Sequence, residues 1–226
     1  IAAYVAIEAG HLVSGKTPVD IIVTPIVSIA AGAVVAYVVG PYIAIFTEWL
    51  GNLININVDK HPFIGGIVIS VSMGMFLTLP ISSAAIGIML GLSGLASGAA
   101  TIGCCCQMVG FAVMSFKENK VGGLISQGIG TSMLQMPNII RHPQIWIPPI
   151  LSSAILAPVS TMLFKMVSNP VGSGMGTSGL VGQFSAYAVM VGAGTHPATA
   201  VIQIMAMHFI LPALVTYVIA YGIRKN

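Results

Sequence analysis

The sequence predicts an all-α integral membrane protein, a polytopic helical bundle with broken or re-entrant helices. Three observations carry this. First, only 6% of the 226 residues are charged and 56% are hydrophobic. Mean hydropathy is +0.98, whereas a soluble domain is about a quarter charged, so the solvent for this surface is lipid. Second, several apolar runs approach or exceed the ~20 residues that cross ~30 Å of hydrocarbon. Third, the 26 glycines and 13 prolines suit a bundle whose packed neighbours re-satisfy interrupted backbone. The formal charge of +3 comes from scattered Lys and Arg, so nucleic acid is not an expected partner. The chain opens on Ile1 inside an apolar run. It reads as one transmembrane domain, 1–226, with earlier membrane segments missing ahead of it.

In chain order, residues 21–46 form the first clear span, with Glu48 and Trp49 where an interfacial belt belongs. "GNLININVDKHP" reads as a polar connection, and 63–81 as a second span. Residues 83–99 are short and small, and 100–116 are an apolar run stopped by "KENK". Residues 146–166 form a span opened by Trp146, and 198–222 the last one, ended by "RKN". Gly87, Gly91, Gly94 and Gly98 fall at i, i+4, i+7 and i+11, the spacing of one helix face. Such a stripe lets a second helix approach closely; a substrate sliding over a bare face is the alternative.

Two segments, 121–138 and 170–194, read as re-entrant pieces. They are glycine-rich and uncharged, unlike a surface loop of that length. Irregular backbone survives at membrane depth where it is buried or lines a wet cavity, and in transporters such pieces build the substrate site. The candidate binding residues on them are neutral hydrogen-bonders: Ser126, Gln127, Thr131, Gln135 and Asn138 on one, and Thr177, Ser178 and Gln183 on the other. By the positive-inside rule Lys117/Lys120 and Arg224/Lys225 share the cytoplasmic side, provided 146–166 and 198–222 cross and the two broken pieces do not.

Much chemistry is missing. Beyond Glu118 there is no Asp or Glu, which removes paired-carboxylate catalysis and a carboxylate proton relay in that half. "GMGTSG" at 174–179 lacks the preceding strand and following acid of a dinucleotide site. Cys104, Cys105 and Cys106 point in three directions on a helix and do not suit one metal. No metal, cofactor or catalytic residue is therefore expected. The pair His-Pro occurs at 61–62, 142–143 and 196–197. Pro starts helices well and pushes the residue before it out of the α region, so the pairs read as helix-start punctuation. His196 is kept as a binding candidate because it closes a broken segment. His208 lies mid-span, four residues before Pro212, which leaves its carbonyl without the usual donor. It is either a functional polar group at depth or a neutral His bonded to a neighbouring helix.

"PISSAAIGIMLGLSGLASGAATIG", "MLQMPNIIRHP" and "GTSGLVGQFSAYAVM" resemble the EIIC membrane proteins of the phosphotransferase system, in particular the stand-alone branch that includes the perfringolysin O regulator. The resemblance covers most of the chain. It implies a multi-pass, dimeric protein of the bacterial plasma membrane that binds a small solute, sugar by class, between a scaffold and a moving domain. It implies no enzyme in this chain alone, since group translocation would use separate phosphotransferase chains. Family members hold sugar with a Glu in a re-entrant hairpin and with a His; the corresponding half of this chain carries no Glu. By position, the polar groups of 126–138 and 177–183 would line the site, with Asn138 and Ser178 foremost. Two functions follow: a permease for a small neutral or weakly anionic solute, or a membrane sensor that binds a small molecule or lipid without moving it. Thirteen methionines also suit an adaptable greasy pocket.

Overall fold

The computed structural model describes residues 2–16 and 19–225. It is 87% helical, and the described residues contain no strand. Four helical stretches are long and apolar enough to cross a membrane: Asp20–Lys60, Gly94–Met114, Pro143–Phe164 and Pro197–Arg224. The all-α membrane architecture predicted from composition is what the chain adopts.

Contacts divide the chain into two units, 1–49 and 50–226. In the first, α1 (Ala2–Val13) packs on the opening turns of α2 (Asp20–Lys60) through small residues, with Gly10 against Ser28 and Gly32 against Ala6. The second unit holds the end of α2 and ten further helices. These are α3 (Pro62–Thr78), α4 (Ser83–Met89), α5 (Gly94–Met114), α6 (Phe116–Ile125), α7 (Met136–Arg141), α8 (Ile147–Pro158), α9 (Pro170–Ser173), α10 (Val181–Gly192), α11 (Pro197–Met205) and α12 (Leu211–Lys225).

Helix α5 is the axis of this unit. Every residue from Ala96 to Ala112 is buried, and α3, α8 and α12 pack around it. A helix enclosed on all sides has no polar face to spare, and α5 meets that demand with small residues. A Cβ on Gly103 would run into the Ser70 carbonyl of α3, and one on Gly98 into the Met166 carbonyl. The three cysteines do diverge. Cys104 Sγ faces the Met73 and Ser173 carbonyls at 3.5 Å, Cys105 meets Gln183, and Cys106 meets Ser152.

The His-Pro pairs sit where helix-start chemistry puts them. His61 precedes α3, His142 precedes the short turn Pro143–Trp146, and His196 precedes α11. All three are exposed. The two basic ends also meet, since the Arg224 guanidinium donates to the Met114 carbonyl at 3.1 Å and stands 3.7 Å from the Glu118 carboxylate.

Two expectations are corrected. The first span does not stop near residue 46. Helix α2 runs 41 residues to Lys60, through the stretch read as a connection. Val58 enters the core beside Ile69, Met73 and Leu92, and Ile54 packs one turn earlier, so this stretch is amphipathic. The glycine stripe is not one helix face. Gly91 and Gly94 have φ of +57° and +56°, values that form the corner between α4 and α5 and that glycine adopts without strain. Only Gly87 and Gly98 mark close approach, Gly87 against Ser173. The apolar run before "KENK" ends at Met114; the chain turns at Ser115 and α6 carries these residues, with Lys120 at φ 53°.

Asn55 pins the corner. Its Nδ2 donates to the Gly91 carbonyl at 3.0 Å and its Oδ1 accepts from the Ser93 N–H at 3.2 Å. Asn55→Ala is expected to cost about 1–2 kcal/mol, seen as a lowered Tm of the purified protein. Asn57→Ala, whose amide reaches only the Leu53 carbonyl of its own helix, is expected to leave Tm nearly unchanged.

Candidate functional site

The two glycine-rich segments are broken in the structure. After α6 the chain takes a wide π turn at Ser126–Gly130, a short 3₁₀ turn at Ser132–Gln135, and then α7. In the second segment the four-residue α9 is followed by turns and a 3₁₀ piece, Ser178–Leu180, before α10. Thr131 helps break the first, its Oγ1 accepting from the Met133 N–H at 3.2 Å. The segments touch where Ser178 Oγ donates to the Gly130 carbonyl at 2.9 Å. Ser126 bonds only locally, to the Gly123 carbonyl.

On the first segment the side-chain amides form a ladder. Asn138 Nδ2 donates to Gln135 Oε1 at 3.0 Å, Gln135 Nε2 to Gln127 Oε1 at 2.8 Å, and Gln127 Nε2 to Ser115 Oγ at 3.0 Å. Gln127 and Gln135 are buried and Asn138 is exposed. Gln127 and Gln135 each give and accept and Asn138 gives, so the ladder constrains the rotamers along it. Gln135 and Asn138 reach a cavity of about 300 Å³ that is also walled by Ser115, Glu118, Asn119, His142 and Arg224. Carboxylate, guanidinium, imidazole, hydroxyl and amides therefore converge on one space. Such a set suits a small solute carrying several hydroxyls.

On the second segment, Gln183 lies between two helices. Its Nε2 is 3.1 Å from His208 Nδ1 and 3.5 Å from Cys105 Sγ. His208 is 1% exposed and sits in another π turn, Ala206–Ile210, the local widening that accommodates Pro212 and its missing N–H. It is thus a His bonded to a neighbouring helix. Gln183 Oε1 and Thr177 Oγ1 are buried without a partner. Gln183 also borders an apolar groove of about 370 Å³ lined by Phe184, Tyr187, Ile204, Met205 and Phe209.

The predicted residues thus divide. Gln127, Gln135 and Asn138 come together; Gln183 and His208 form a second pair; Ser178 joins the segments; Thr177 stands buried and unpaired. His196 is not drawn into these networks: its ring is exposed, and Nδ1 accepts from the Ala198 N–H at 3.3 Å, capping its own helix. Sequence reasoning missed Ser115, Glu118, His142 and Arg224 as cavity walls. Arg224 was legible only as a marker of membrane sidedness and Glu118 only as the last acid of the sequence, because the contact between them joins residues far apart in the chain. It also missed Gln107, fully buried on α5, whose Oε1 accepts from Trp146 Nε1 at 3.0 Å and from Thr78 Oγ1 at 3.3 Å.

The family model described as "Phosphotransferase system, EIIC" matches residues 1–226. No curated protein and no solved structure gives a significant match. Because the family match runs from the first residue to the last, the chain belongs to the phosphotransferase-system EIIC family and is, in general terms, a membrane component of sugar transport.

Proposed function

We propose that this protein is a permease that binds and translocates a small neutral or weakly anionic solute, a sugar by class, across the bacterial plasma membrane. It works as a homodimer and has no catalytic activity of its own. Phosphoryl transfer, where it accompanies transport, is carried out by separate phosphotransferase chains. One observation carries this reading: the Gln127–Gln135–Asn138 ladder ends in a cavity that also presents Glu118, His142 and Arg224. Gln135 and Asn138 provide donors and acceptors whose directions the ladder fixes. Glu118 accepts from sugar hydroxyls, and Arg224 admits a weakly anionic group. Glu118 stands on this cavity although the glycine-rich half has no acid.

The test is uptake into vesicles. A panel of hexoses and disaccharides is first screened by thermal shift, since a ligand bound only by the native state raises Tm. The stabilising sugar is then followed into proteoliposomes. Asn138→Ala, at an exposed position, is expected to leave the fold intact and lower uptake by about tenfold or more, the loss of one strong hydrogen bond. Uptake unchanged in both Asn138→Ala and Glu118→Gln would sink the proposal.

The second reading is a sensor that binds a lipid or small apolar molecule without transport. The groove beside Gln183 favours it. Stabilisation by lipids alone, with no sugar response and no flux, is its expected signature.

A further inference from the structure

At the end of the bundle where α5, α6 and α12 meet there is a second cavity, of about 240 Å³. On α12 it is walled by Tyr217, Tyr221 and Arg224, which recur at i, i+4 and i+7 and so share one helix face. Lys117, at the start of α6, faces them, and Met114 and Ala220 supply an apolar floor. No acidic residue lines this space. Glu118, the one carboxylate near Arg224, lines the neighbouring solute cavity instead. Among the described residues neither phenol, nor the Lys117 ammonium, is engaged in a hydrogen bond or ion pair.

The chemistry of such a pocket is specific. Two cations and two phenolic hydroxyls surround the space with donors, whereas the two oxygens of a carboxylate lie in one plane. A tetrahedral phosphate ester has oxygens enough, and the guanidinium fork matches it. The apolar floor suits the carbon portion of the ester. By the positive-inside rule the end bearing Lys117, Lys120 and Arg224 faces the cytoplasm. There the leaflet is anionic, and basic pockets between transmembrane helices take up phosphate headgroups. We propose that Lys117, Tyr217, Tyr221 and Arg224 form a binding site for a phosphate ester, supplied either by an anionic phospholipid headgroup or by a soluble organic phosphate. Arg224 borders both cavities, so a bound phosphate competes with Glu118 for the guanidinium and alters the wall of the solute cavity. The site itself stands independently of the solute reading.

The experiment is a thermal-shift titration of the full chain in neutral detergent. Its probes are short-chain phosphatidylglycerol, short-chain phosphatidylcholine and glycerol 3-phosphate. Phosphatidylglycerol is expected to raise Tm, with the response weakened by salt. In Lys117→Gln the half-saturating concentration is expected to rise about fivefold. Tyr221→Phe is expected to weaken binding less, and Arg141→Gln, an exposed cation outside the cavity, not at all. Stabilisation by glycerol 3-phosphate as well identifies a phosphate site open to soluble esters; stabilisation by phosphatidylglycerol alone identifies a headgroup site. Equal stabilisation by phosphatidylcholine overturns the proposal. So does a phosphatidylglycerol response that is intact in both Lys117→Gln and Tyr221→Phe, or one that Arg141→Gln weakens equally.

Discussion

Gly103→Val is expected to abolish the folded protein. Any Cβ at residue 103 falls on the carbonyl of Ser70, which is backbone inside a helix and has nowhere to move. Gly74 on α3 is pressed against the Gly103 carbonyl in return, so the two helices cross with backbone against backbone at these glycines. Close approach through small residues is what holds membrane helices together, since lipid offers no hydrophobic drive. Separating α3 from α5 would also release Ser70 Oγ from the Ser153 carbonyl of α8. Overpacking alone costs about 1–3 kcal/mol, and here the clash is with backbone at the axis of the unit. The expected readout is loss of the monodisperse peak in detergent size-exclusion chromatography. Gly122→Ala, where an added Cβ meets nothing within 4 Å, should keep that peak. A monodisperse, cooperatively melting Gly103→Val protein would show that the α3–α5 crossing is looser than described.

The second large effect is expected at His208. Truncation to Ala removes a ring that is 1% exposed and takes from Gln183 Nε2 the nearer of its two partners. The cavity, together with an amide left only its weak contact to Cys105 Sγ, is expected to cost about 3 kcal/mol. Gln183→Leu strands the imidazole in turn. If the 3.1 Å contact carries the loss, the double variant should be about 1 kcal/mol or more better than the sum of the singles. Thermal melts of the four proteins measure this. Additive losses would mean that the two side chains act separately.

Much of the fold was legible because membrane helices announce themselves by local composition. The spans read at 63–81, 146–166 and 198–222 correspond to α3, to Pro143–Phe164 and to Pro197–Arg224. The His-Pro pairs were legible because Pro acts on its immediate neighbours. The errors lie where a local pattern has two meanings. Asn52, Asn55 and Asn57 looked like a connection, yet an Asn that pins a corner stays helical. Glycines at helical spacing looked like one face, yet glycine is equally the residue of a sharp corner, and the spacing does not distinguish them. For the candidate site, the amide ladder joins residues eight and three positions apart and was within reach of sequence reasoning. The Glu118–Arg224 pair and the Trp146–Gln107 bond were not. They depend on how distant helices meet, and hydropathy carries no information about that.

The π turn at Ala206–Ile210 has a consequence for everything downstream. Each residue of a regular helix advances the side-chain direction by about 100°, and a wide turn accommodates one residue more than a regular one. Helix α12 is therefore clocked by that insertion: Thr216, Tyr217, Tyr221 and Arg224 point where they do because of a widening one to four turns earlier. His208 and Pro212 thus bear on more than their own surroundings. They also set the angular phase in which the last helix presents Tyr221 and Arg224 at its far end.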